Sequence, residues 1–187
     1  MTQPILLSIQ VGLPQKVTDE GFTGKSLTWE TGIFKSPVAG KIWLGQTNLE
    51  GDGQADLSVH GGVDKAVMAY SADHYPYWQT IIPDLPYGGF GENFTVSGMD
   101  EHSVCMEDVY TLGDAIIQVS QPRQPCWKLA RKLKSKQLPA QVIATGYSGW
   151  YFRVLKEGTV ESGMPLELVT RIQPDWSIAR VNRNIYP

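Results

Sequence analysis

Val109-Tyr110-Thr111-Leu112-Gly113-Asp114-Ala115-Ile116-Ile117-Gln118-Val119-Ser120-Gln121 is the stretch on which the fold turns. Its second arm sets Ile117 and Val119 against Gln118 and Ser120, the period of two that marks a half-buried strand. The first arm, 109–112, matches it across the Gly113-Asp114 turn, so the whole reads as a β-hairpin. Directly after it, Pro122-Arg123-Gln124-Pro125 breaks the strand. Residues 126–136 then have the propensity of a helix.

Working outward, residues 4–11, 27–29 and 38–44 read as strands, the last with Ile42 and Leu44 alternating against Lys41 and Trp43. Asn48-Leu49-Glu50-Gly51-Asp52-Gly53 is turn chemistry, and the glycine-bearing loop 58–65 feeds an apolar run, 66–70. Ser71 and Asp73 are candidate helix caps. With Asp73 as the cap, Pro76 falls in the first turn of a helix reaching about Ile82. Loop 88–91 leads into a strand over 92–96, a short helix spans 139–146, and residues 149–155 and 165–171 give two final strands. Many short strands with few helices predict a mainly β fold closed into a barrel; an α/β layered fold is the alternative, disfavoured by irregular βα alternation.

Composition sets the outer bounds. The chain has 187 residues, 42% hydrophobic and 19% charged, with a net charge of −3. That is an ordinary folded domain, and its charge excludes a strongly basic nucleic-acid binder. Two cysteines are no disulfide framework, no apolar run approaches the length of a membrane span, and Met1 to Ile9 lacks the form of a signal peptide. The expectation is a reduced, cytoplasmic protein.

Cys126 opens a helix, where unpaired N–H groups and the helix dipole favour negative charge. Arg123 and Lys128 flank it, and no acid lies between residues 123 and 136 while Arg131, Lys132, Lys134 and Lys136 add charge. A thiol so placed ionises near neutral pH and can ligate metal or attack electrophiles. From its residues alone Cys126 is equally a buried, inert thiol, and the basic strip equally a solvated helix face. Cys105, among Glu101, Glu107 and Asp108, reads as inert. His60-Gly61-Gly62 with Lys65 is either a site for an anionic or heteroaromatic group or a tight turn; Gly91-Glu92-Asn93 is either a backbone-and-amide site or a loop entering a strand. Gly24-Lys25-Ser26 lacks the first glycine of a P-loop, which would stand at Asp19. Gly146-Tyr147-Ser148-Gly149 is misspaced for a nucleophile elbow. His60, His74 and His102 form no zinc pair.

Gly51-Asp52-Gly53-Gln54-Ala55-Asp56, the block from His60 to Val67, Gly91-Glu92-Asn93-Phe94 and the block from Gln118 to Leu129 together resemble the motifs of the MOSC domain family, closest to its YiiM-like branch. The resemblance runs from about Val11 to about Thr170. It implies a closed β-barrel of the pyruvate-kinase-barrel-like type over residues 1–172. Residues 173–187 would be the start of a C-terminal helical extension, apparently truncated. It implies that Cys126 ligates the molybdenum of the molybdenum cofactor (molybdopterin), a soft thiolate suiting a metal already bound to sulfur. Arg123 and the helix start would anchor the cofactor's phosphate. His60, Lys65 and Asn93 would line the pterin pocket, with Lys128 and Arg153 as further cofactor-binding candidates.

The implied activity is reduction of N-hydroxylated compounds such as hydroxylaminopurines. The alternatives are a sulfur carrier through a Cys126 persulfide, or a non-catalytic cofactor-binding or delivery protein. No flavin, haem or iron–sulfur cluster is expected in this chain, since two cysteines cannot supply a cluster's four ligands. Electrons are therefore expected from a separate reductase, with neither nucleic acid nor membrane as a partner.

Overall fold

The computed structural model describes residues 3–19, 22 and 27–187. The Gly24-Lys25-Ser26 tripeptide lies outside them. Among the described residues there are twelve strands and four helices. The first five strands are β1 (Ile5–Val11), β2 (Gln15–Asp19), β3 (Leu27–Thr31), β4 (Ser36–Val38) and β5 (Ile42–Leu44). A 3-10 turn (Val63–Lys65) precedes β6 (Val67–Ser71), α1 (Tyr75–Gln79) and β7 (Phe94–Ser97). The hairpin is β8 (Val109–Leu112) and β9 (Ala115–Pro122), followed by α2 (Trp127–Lys132) and α3 (Leu138–Thr145). The chain ends with β10 (Trp150–Lys156), β11 (Gly158–Val160), β12 (Glu167–Thr170) and α4 (Ile178–Ile185).

Eight strands form one curled sheet in the order β12-β8-β9-β10-β6-β7-β1-β4, with β11-β5 and β2-β3 as separate pairs. The expected hairpin pairs in register from Leu112↔Ala115 to Val109↔Gln118. β6 and β7 run parallel, joined by a crossover that carries α1. The fold is mainly β, as expected, but the expected closed barrel is not formed. Edge strands β12 and β4 do not pair with each other; the sheet is a half-barrel. Residues 163–166 make three backbone hydrogen bonds to residues 4–6, and the only bridge there is Ile5↔Pro165. Pro165 has no N–H to extend a ladder, so closure stops at that contact.

Other expectations shift for local reasons. The single strand over 38–44 is two, because Gly40 adopts φ 78° and turns the chain so that β5 can pair with β11. The first helix is shorter than its expected range: Ser71, not Asp73, is the cap, its Oγ accepting from Asp73 N at 3.3 Å, and it caps a 3-10 turn before α1. Helix α2 stops at Lys132 rather than Lys136, since Lys134 takes the left-handed φ of 50°. After the expected start at Pro174, the C-terminal helix begins at Ile178, capped by Ser177 Oγ, and docks through Ile178, Ala179 and Asn182. No helix among the described residues is long and apolar enough to cross a membrane.

Two apolar clusters meet near the end of β9. The larger fills the concave sheet with Leu6, Ile9, Phe94, Ile117, Val119, Trp150 and Phe152. The smaller packs Tyr70, Trp78 and Phe90 against Leu129, Leu138 and Val142 of α2 and α3. Between them Gly149, at φ 73°, lies so close to Ala69 that a Cβ would strike its carbonyl oxygen, while its own carbonyl accepts from Arg123 N at 3.0 Å. Gly149→Ala should cost ~3 kcal/mol through combined strain and overlap. Urea unfolding checks this; an unchanged midpoint would show that the turn relaxes freely.

Candidate functional site

Strand β9 ends at Pro122, and the three residues that follow deliver Cys126 to the head of α2. The helix is held from behind by the fully buried Leu129. Cys126 is its N-cap, in extended backbone with ψ 161°. Burial alone would push its thiol up. The His60 ring, the Arg123 charge and the N–H groups of Lys128 and Leu129 favour the thiolate more strongly, and bring the pKa down to about 7. Cys105 differs in every respect: burial raises it, and its Sγ lies 3.5 Å from Pro174 O.

Cys126 opens onto a cleft enclosing about 660 Å³ of space, counting its open mouth. His60, Lys65, Asn93, Arg123 and Lys128 all line it with Cys126, so six of the seven residues singled out in the sequence converge. Arg153 does not. It sits on β10, ion-paired with Asp64 at 2.9 Å and 3.4 Å from Gln118 Oε1. The wall also contains Lys35, which gives four lysines and arginines with no carboxylate, in a chain whose net charge is −3.

Each lining group is held differently. Arg123 is 4% exposed; its Nη2 donates to Phe90 O at 3.2 Å, and its Nη1 is buried with no partner. Lys65 Nζ donates to Val59 O at 2.7 Å and Lys128 Nζ to Glu30 O at 3.0 Å, so neither charge is neutralised by an acid in those bonds. Asn93 is already committed: Nδ2 donates to Gln10 O and Asp52 Oδ2 at 3.2 and 2.9 Å, and Oδ1 accepts from Met68 N at 3.1 Å. Its amide therefore braces the wall and has at most one lone pair left for a ligand.

The residues that sequence reasoning missed are the buried acids behind the wall. Asp52 pairs with Lys35 and also accepts from Gly12 N at 2.8 Å. Glu92 accepts from Tyr75 Oη, Gly88 N, Phe90 N and Thr95 Oγ1, which fixes the loop carrying Phe90 O. Lys132, pushed down to about 8 by burial, donates to Ile33 O and Gly88 O at 2.9 and 2.6 Å. Arg131 pairs with Asp19 at 2.6 Å. The basic strip is thus largely consumed by internal bonds. Among the described residues no three His, Cys, Asp or Glu side chains converge as a metal cage.

Comparison with known proteins agrees with this geometry: residues 56–167 match the MOSC domain. The chain belongs to the MOSC domain family. It is 48% identical over 182 residues to YflK of Bacillus subtilis (strain 168), covering 97% of this chain and 80% of that one. A protein of Gibberella moniliformis named a reductase is 37% identical over 186 residues, 97% of this chain but 32% of that protein. The crystal structure of YiiM from Geobacillus stearothermophilus superposes with a TM-score of 0.80 at 40% identity, over 98% of this chain and 84% of that one. The half-barrel is therefore a MOSC fold.

The lowered thiol pKa is directly measurable. Alkylation of Cys126 by iodoacetamide should rise with pH about a midpoint near 7. Removing a group that favours the thiolate must raise that midpoint, so His60→Ala should shift the profile toward ordinary thiol values near ~8.5. Coincident profiles for the two proteins would show that His60 does not act on the thiol.

Proposed function

We propose that this protein is a molybdenum-cofactor-dependent reductase of N-hydroxylated compounds, hydroxylaminopurines among them, with Cys126 as the protein's ligand to molybdenum. The observation that carries the reading is a thiol near neutral pKa facing a cleft walled by cations without carboxylates. The residues present fit the cofactor. A single thiolate suits a metal that brings its own sulfur ligands, and the unpartnered Nη1 of Arg123 is the kind of buried donor that a phosphate completes. When bound, the cofactor supplies the two-electron chemistry by which an N-hydroxylated compound is reduced to its amine with release of water.

The chain's own residues do the rest. Cys126 presents its sulfur at a fixed place, because β9 and Leu129 hold both sides of its loop. Arg123 anchors the phosphate, with Lys65 and Lys128 adding positive potential toward the mouth. His60 offers its ring to Sγ and keeps the sulfur deprotonated. Phe90, Met68 and Ile33 keep part of the wall apolar and limit water. Electrons come from a separate reductase. The Gibberella relative, matched over 32% of its length, is itself named a reductase, which supports a reductive role. We place the reaction in the cytoplasm, where both free thiols stay reduced.

Elemental analysis after anaerobic purification from cells that make the cofactor tests the reading. Wild type should carry close to one molybdenum per chain and Cys126→Ser essentially none. Arg123→Ala should hold the cofactor about ten- to a hundredfold more weakly, the cost of one charged hydrogen-bond donor. A metal-free wild type carrying a persulfide on Cys126 would sink the reductase and leave a sulfur carrier.

A further inference from the structure

The cleft holds a second unsatisfied group, opposite in kind to Arg123. Gln54 lines the wall, and its Oε1 is buried with no hydrogen-bond partner. The amide is not free to turn over. Its Nε2 donates to Asn48 Oδ1 at 2.5 Å and, more weakly, to Asp52 Oδ2 at 3.4 Å. A carboxylate can only accept, so a flipped amide would set Oε1 against Asp52. Asp52 cannot swing away either, since Gly12 N, Lys35 Nζ and Asn93 Nδ2 all hold it. Gly61 keeps side-chain atoms away from the same oxygen: at φ 83°, a Cβ there would stand 2.7 Å from Oε1. The first glycine of the His-Gly-Gly block therefore protects an acceptor.

A dry, oriented, unpaired acceptor in a cleft calls for an N–H donor from a ligand. The neighbouring wall, with Met68, Ile33 and Tyr151, offers apolar surface suited to a flat molecule. We propose that Gln54 Oε1 reads a ring or exocyclic N–H of a nitrogen heterocycle, and is the specificity-determining acceptor of this site. The inference rests on the reading that the cleft takes a pterin cofactor and a heterocyclic substrate. Both carry that donor: the aminopyrimidinone edge of the pterin, or the edge of an N-hydroxylated purine.

Fluorescence titration of cofactor-free protein with a 6-hydroxymethylpterin phosphate separates the two sources, with thermal unfolding as the check on folding. Gln54→Leu should weaken pterin binding about tenfold, the usual effect of one net hydrogen bond, if the pterin is what is read. Asn48→Ala leaves Gln54 in place but unties its amide, should give an intermediate loss, and carries the test if the leucine variant fails to fold. If pterin binding is unchanged but KM for a hydroxylaminopurine rises about tenfold in the loaded variant, the substrate is what is read. N-methyl-N-phenylhydroxylamine, which has no N–H, should then keep its KM. Unchanged pterin binding together with unchanged KM overturns the inference alone. A wild type that binds neither the pterin phosphate nor molybdenum overturns the reductase reading first.

Discussion

The guanidinium of Arg123 is buried, bonded at one end to a single carbonyl, Phe90 O, and unpaired at the other. A cation taken out of water without a counter-ion is costly, and the surroundings must impose it. They do so through the backbone. Arg123 N is tied to Gly149 O at 3.0 Å, Glu101 Oε1 accepts from Gly149 N at 2.7 Å, and Glu101 Oε2 meets His74 Nε2 at 2.6 Å. Asn182 of α4 reaches the same turn through Ser148 Oγ at 2.8 Å. These bonds fix the backbone at Arg123, and the bond from Nη2 to Phe90 O holds its side chain inward, so its field falls on Cys126.

That arrangement depends on what the acids do. Asp52, Glu92 and Glu101 are all buried close to the site, yet none enters the cleft wall. Each gathers donors from loops that border it: Gly12 and Asn93 on Asp52, Gly88 and Phe90 on Glu92, Gly149 on Glu101. Apart from Asp52, which also pairs with Lys35, the carboxylates spend their acceptor capacity on positioning and leave Lys65, Arg123 and Lys128 toward the cleft. An acidic chain thereby presents a positive wall, and the ligand it favours is an anion.

Much of this was legible in the sequence, and the boundary has physical causes. The hairpin and the Pro-bracketed cysteine at a helix start depend on local signals, period two and propensity, which survive folding. Closure of the barrel was not legible because it hung on whether residues 163–166 could pair fully with β1, and Pro165 prevents that at a separation of 160 residues. The basic strip read as solvated or anion-attracting because its partners lie far away: Asp19 for Arg131, Ile33 O and Gly88 O for Lys132, Glu30 O for Lys128. Asn93 does line the cleft, but what fixes its amide was not legible, since Gln10 O and Asp52 occupy its donors from 83 and 41 residues away. Long-range hydrogen bonds leave no periodicity to read.

The thiol pKa shows how finely these terms are balanced. Burial opposes the thiolate, and the His60 ring, the Arg123 charge and two helix amides favour it, with a result of about 7, well below an ordinary thiol. A metal takes only the deprotonated sulfur, so binding at pH 7 carries the cost of removing the proton. An ordinary thiol would impose roughly 2 kcal/mol more of that cost than this one does. Pushing the pKa far lower would at most double the thiolate population at neutral pH. It would weaken the sulfur as a donor, since basicity and donor strength fall together. A value near working pH therefore combines availability with donor strength, and the opposing effect of burial is part of how the site reaches it.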